Sequence, residues 1–197
     1  MKMLRNFTIR FVMLTILGIF CVMWAGVGLY STWSLSRVSD GNDVDRQLVR
    51  QMTVLSQGND QYFRFVTRLS RAMEVKAAGG TPDLAPAQQA LDNMSKKLAE
   101  MKAISPGPMD EKVSAQVIST WQALLDRGVT PQMAQAKQAT LEGYRQHANN
   151  VTPPLSRAFG SAAENFNNTA AKALDSTRVV VDGLTSMTRT VIITATI

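Results

Sequence analysis

Three arginines, Arg64, Arg68 and Arg71, stand at i, i+4 and i+7. At about 100° per residue they share one face of a helix. Guanidinium groups held this close repel one another unless something acidic sits between them. Arginine takes a carboxylate through two parallel hydrogen bonds, so the trio reads as an anion site. Such a site is most useful between two copies of the helix in a dimer. The other reading is a solvated basic face, with Asp60 and Glu74 as partial neighbours. Spacing alone leaves both open.

Catalytic chemistry finds no comparable footing. The chain has no GxxxxGK[ST], no GxGxxG and no Ser–His–Asp pattern in a strand–turn–helix setting, and Glu142 and Asp175 are isolated. The single histidine, His147, cannot make a His-based metal pair and reads as a surface polar residue. The single cysteine, Cys21, lies in an apolar run, which leaves no disulfide and no cysteine metal site. We therefore expect no enzyme, no metal and no cofactor. The net charge is +6, but part of the excess sits in the first ten residues, and no dense basic cluster with interleaved aromatics occurs. Nucleic acid is not an expected partner.

The arginines need a long helix to carry them. Ser31 to Ala78 has no proline, and Leu48, Met52, Leu55, Tyr62, Val66, Leu69 and Met73 recur at spacings of 3, 4 and 7. That is a heptad-like apolar seam. The arginine face lies roughly opposite its Tyr62–Val66–Leu69–Met73 part, so these side chains are expected to point away from their own bundle. Gly79-Gly80-Thr81-Pro82 ends the helix. Asp83 then caps a second helix that runs to about Ile104, with Leu84, Leu91, Met94, Leu98 and Met101 as its stripe. After the turn Ser105-Pro106-Gly107-Pro108, a third helix starts near Met109. Asp110 and Glu111 fall in its first turn, where negative charge suits the helix dipole, and Val113, Val117, Trp121 and Leu124 form its stripe. Gly128 to Pro131 is expected to kink or break it, Gln132 to Thr140 has a weak pattern, and Gly143 to Asn150 reads as an irregular connection. A fourth helix begins at Val151 to Pro154, where proline is tolerated in a first turn, and carries Leu155, Phe159, Ala162, Phe166, Thr169 and Ala173. The expected fold is all-α, an antiparallel four-helix bundle with long first and last helices.

Both long helices point to a membrane. Phe11 to Tyr30 is twenty residues without a charge. At about 1.5 Å per residue it spans roughly 30 Å, the hydrocarbon thickness of a bilayer. Lys2, Arg5 and Arg10 precede it with no acidic residue among them, which places the N-terminus inside. A cleaved signal peptide begins in the same way, but its apolar region is shorter, about 7–15 residues. The last eight residues, TVIITATI, follow the final charge, Arg189, and read as the start of a second membrane helix. The expected domains are a cytoplasmic N-terminus (1–10), a first transmembrane helix (11–30), an outer domain (31–189) and the start of a second transmembrane helix (190–197).

With these elements in place, the chain resembles the sensor half of bacterial methyl-accepting chemotaxis proteins of the aspartate/serine receptor type. The resemblance lies in LRNFTIRFVMLTILGIF near the N-terminus, in Thr67-Arg68-Leu69-Ser70-Arg71-Ala72-Met73, and in Glu142-Gly143-Tyr144-Arg145-Gln146-His147 followed by Pro153 to Phe159. It implies a homodimer in the bacterial inner membrane, with the bundle in the periplasm. It also implies a ligand at the dimer interface, near the end far from the membrane. By position Arg71 is the closest arginine match, and either Arg64 or Arg68 stands for an earlier one. Tyr144 and Gln146 match the approach to the fourth helix, with Asn149 and Thr152 beside them. The chain departs from the family pattern at Val75, where a third arginine is expected, and at His147-Ala148, where a proline-threonine pair is expected. These departures set a carboxylic acid without an amino group level with an amino acid as the expected ligand. A cytoplasmic kinase and adaptor would be reached only through a C-terminal signalling half. Two other readings share the fold: the sensor of a histidine kinase or cyclase, and a membrane-anchored coiled-coil adaptor with no small ligand.

Overall fold

The structure is a computed structural model that describes residues 2–138 and 141–196, with side chains described over 11–138 and 141–187. Among the described residues it is all helix: α1 (Lys2–Ala77), α2 (Ala85–Ile104), α3 (Glu111–Ala123), a π-helical turn (Leu124–Val129), α4 (Thr130–Lys137), α5 (Leu141–Asn150) and α6 (Thr152–Thr196). Two compact units emerge, Met1–Val44 with Asp175–Ile197, and Asp45–Leu174.

The second unit holds the bundle core. Its largest fully buried side chains include Phe65 and Leu69 from α1, Met94 and Met101 from α2, Trp121 from α3, Met133 from α4, and Phe159 and Phe166 from α6. The buried seam of α1 runs Leu48, Gln51, Leu55, Gly58, Phe65, Leu69, Ala72. Of the seam expected from apolar residues alone, Leu48, Leu55, Leu69 and Met73 are buried, whereas Met52, Tyr62 and Val66 are only half-buried and Gln51, Gly58 and Phe65 are buried instead. The reason is local chemistry at two seam positions. Gln51 is buried because its Nε2 donates to the carbonyls of Ile104 (3.1 Å) and Pro106 (2.8 Å), tying α1 to the turn after α2. Gly58 is buried because the Trp121 ring lies against its backbone, in space that a Cβ would overlap. The same ring packs on Phe159, with centroids 5.3 Å apart, so Trp121 joins α1, α3 and α6.

The turns follow the sequence. Gly79 (φ 82°) and Gly107 (φ 56°) take left-handed conformations at the two breaks, where glycine has no steric penalty. The N-cap position of α2 is Leu84 rather than the expected Asp83, though the Asp83 carboxylate, one residue earlier, accepts the Ala85 N–H at 3.0 Å. Asp110 caps α3 by accepting from Lys112 N (2.9 Å) and Val113 N (3.2 Å).

Two expectations are corrected. Gly128 to Pro131 does not break the third helix. The widened π turn over Leu124–Val129 carries the chain onward, and Pro131 falls in the first turn of α4, where its missing N–H costs least. Gly143 to Asn150 is not irregular but lies in α5, held by the buried Tyr144. Its apolar positions are too few to announce a helix. The weak stretch before it is helical to Lys137, and its last two residues, Ala139 and Thr140, lie outside the described residues.

In the first unit, Gly41 lets α6 approach closely: a Cβ there would stand 2.8 Å from Val181 Cγ2 and 3.3 Å from Thr177 Cγ2. Among the described residues one stretch, at the start of α1, is long and apolar enough to cross a membrane, and its most apolar window is fully exposed. The side chains of the expected second membrane segment, 190–197, lie outside the described residues.

Candidate ligand-binding site

The three arginines line one shallow hollow of about 250 Å³ on α1, together with Phe63 and Thr67. They are not equivalent there. Arg64 Nε donates to Asp60 Oδ2 at 2.7 Å, one turn earlier on the same helix. Arg68 is half-buried, and its Nη1 donates to the Pro86 carbonyl at 3.0 Å in the first turn of α2. It therefore turns toward its own bundle, against the expectation that all three point away. Arg71 is exposed and makes no ion pair among the described residues. Of the three, its guanidinium is the one free to engage an anion without giving up a contact.

The residues expected around the start of the last helix meet in a second cavity, of about 380 Å³. Tyr62, Val66 and Ser70 of α1 form one wall. Tyr144, Arg145, Ala148 and Asn149 of α5 form another, and Thr152, Pro153 and Ser156 of α6 close it together with Gln132 of α4. Tyr144 and Thr152 are buried, and the Thr152 hydroxyl donates to Gln132 Oε1 at 2.9 Å. Asn149 lines the cavity from an exposed position, whereas Gln146 is exposed and does not line it. Neither cavity is lined by an acidic side chain.

The first turn of α6, which lines the second cavity, packs on the π turn. Gly128 has no side chain, and a Cβ there would meet Leu155 Cδ1 at 3.4 Å and Thr152 Cγ2 at 3.7 Å, so the first turn of α6 closes directly onto it. His147 Nε2 lies 2.9 Å from the Gly128 carbonyl, to which it donates in the matching tautomer. His147 is thus half-buried and bonded rather than a free surface polar group.

Tyr144, Asn149 and Thr152, expected together from the sequence, line one cavity, and Arg145, Gln132, Ser70 and Tyr62, not named with them from the sequence, line it too. Arg145 was within reach, since it stands inside the quoted Glu142 to His147 segment. Gln132 had no local signal. The arginines of α1 line a different hollow from the α5–α6 residues within one copy of the chain.

Residues 3–174 match the family described as Tar ligand binding domain homologue. The chain belongs to this family. The match ends at Leu174, where the bundle unit of this Tar-family domain also ends. A solved structure agrees: the N-terminal ligand-binding domain of a protein from Salmonella enterica named as a methyl-accepting chemotaxis protein is 65% identical. The similarity covers 68% of this chain and 98% of that one, with a TM-score of 0.67. No curated protein matches the chain. Helical bundle, apolar leading helix and family together make this Tar-family domain a ligand-binding sensor domain of the chemotaxis-receptor type.

Proposed function

We propose that the domain senses a small carboxylate and passes the signal across a membrane. The observation that carries this reading is the cavity at the α5–α6 junction. It presents one cation, Arg145, among hydroxyl and amide groups, with no acidic side chain to repel an anion. A homodimer packed along α1 would join the cavity of one copy to the arginine hollow of the other, with Arg71 as the principal carboxylate partner. The anchor is the apolar start of α1, with the bundle in the periplasm of a bacterial cell.

Signal transfer follows from where α6 begins. Its first turn supplies Thr152, Pro153 and Ser156 to the cavity, and the helix continues without a break to Thr196. A ligand that favours one packing of that turn would shift the helix along its axis by an ångström or two, selecting one of two states.

The test is a thermal-shift screen of the purified chain against mono-, di- and tricarboxylates and amino acids. A ligand at about 100 times its dissociation constant adds roughly 2.7 kcal/mol, a rise of roughly 5–10 °C for a domain of this size. A rise with one acid, abolished in Arg71→Ala or Arg145→Ala, supports the assignment. A flat response to every acid removes the small-carboxylate reading.

A further inference from the structure

We propose that Tyr30, Trp33 and Arg37 form an anchor for a phospholipid headgroup, with the Arg37 guanidinium placed on the lipid phosphate. The inference rests on the reading that the start of α1 crosses a bilayer. No charged residue stands between Arg10 and Arg37, and the first acidic residue of the chain is Asp40. Setting Phe11 to Tyr30 across the hydrocarbon core uses about 30 Å. The Trp33 backbone then lies about 4.5 Å beyond the core, and that of Arg37 about 10 Å beyond. The headgroup zone is only about 5–7 Å deep on each side. By backbone position alone, Trp33 falls inside this zone and Arg37 outside it.

The side chain reverses that placement for Arg37. Helical side chains lean toward the N-terminus, here back toward the membrane. The Arg37 guanidinium carbon lies 5.5 Å from the centroid of the Trp33 ring. It therefore sits at the depth of Trp33, the level of the phosphates. Trp33 packs in turn on Tyr30, with centroids 6.1 Å apart and rings at 37°. Positions 30, 33 and 37 follow one helix face. Trp33 is 50% exposed while its neighbour Ser34 is 2% exposed, so this face looks outward. Arg37 makes no ion pair among the described residues. An arginine fork held over an indole, with no ion pair among the described residues and at phosphate depth, is complementary in charge and in its parallel donors to a phosphodiester. The rings suit the same interfacial zone.

The test is cysteine accessibility of the full chain in nanodiscs, with Cys21→Ala as background and single cysteines placed at outward positions from Leu17 to Asn42. A membrane-impermeant maleimide should leave Leu29→Cys and Thr32→Cys protected in phosphatidylcholine and label Ser39→Cys and Asn42→Cys. In Trp33→Ala/Arg37→Ala the boundary should move by three or four residues, about one helical turn. The unsubstituted triad should show the same shift in nanodiscs of a phosphate-free galactolipid. A boundary that stays put in the double variant overturns the anchor and leaves the membrane span standing. A boundary that moves in the double variant but not in the galactolipid overturns the phosphate assignment. Equal labelling at Leu17→Cys, Leu29→Cys and Asn42→Cys overturns the membrane reading and the anchor with it.

Discussion

The hydroxyl of Thr152 donates to Oε1 of Gln132 at 2.9 Å, and both side chains are buried. This bond joins the first turn of α6 to α4 beside the candidate site. Thr152→Val keeps the shape and removes the donor, leaving the Gln132 carbonyl oxygen unpaired. The expected cost is about 1–3 kcal/mol, read by urea unfolding. Gln132→Leu added to Thr152→Val should recover part of it, because the orphaned acceptor is then gone.

Gly58→Ala should destabilise the bundle despite the better helix propensity of alanine. The gain is about 1 kcal/mol, but the new methyl overlaps the far edge of the Trp121 ring. Overpacking a rigid ring costs typically about 1–3 kcal/mol. In a double-mutant cycle, Gly58→Ala should be less harmful on a Trp121→Phe background, which lacks the overlapping atoms. Additive losses in that cycle would show that the ring is not the obstacle.

The arginines should separate in calorimetric titration with the acid found by the thermal screen. Arg71→Ala and Arg145→Ala are each expected to weaken binding by about tenfold or more while leaving unfolding unchanged, since both side chains are exposed. Arg64→Ala should weaken it less, because Arg64 is already engaged by Asp60. Arg68→Ala should lower stability as well, through its bond to the Pro86 carbonyl.

Glu100 gives a pH-dependent contribution. The Lys97 ammonium, 2.8 Å away, hydrogen-bonds its carboxylate and holds its pKa below the usual carboxylate value against the opposing effect of burial; Lys97 and Arg50 also attract it by charge. A depressed folded-state pKa stabilises the protein at pH values above the ordinary carboxylate range. The contribution disappears as pH falls through the folded-state value. Glu100→Gln should therefore cost a few tenths of a kcal/mol at neutral pH, as partly exposed ion pairs do, and nothing at strongly acidic pH. Stability differences measured across that range check the sign.

The first three helices and the turns between them were legible because glycines and a capping aspartate punctuate the chain at Gly79, Gly107 and Asp110, whereas α5 carries too few apolar positions to announce itself. The seam of α1 was legible at Leu48, Leu55, Leu69 and Met73 but not at two core positions, Gln51 and Gly58. Each is buried for reasons supplied by a distant partner, the carbonyls of Ile104 and Pro106 in one case and the Trp121 ring in the other. The candidate site divides in the same way. Tyr144, Asn149 and Thr152 stand close together in sequence, so a local resemblance could gather them. Gln132 and Ser70 reach the same cavity from other helices, and no local pattern records a contact made by tertiary packing.

The π turn at Leu124–Val129 also bears on which changes in chain length the bundle can absorb. Such a turn accommodates one surplus residue while the helices on either side keep their facing. Removing a single residue there would tighten the turn to ordinary α geometry, with Trp121 still on Gly58 and Gln132 still beside Thr152. The same deletion inside α3 would rotate everything after it by about 100° and swing Gln132 away from its partner. Between Glu111 and Lys137, the π turn is thus where loss of one codon is best tolerated.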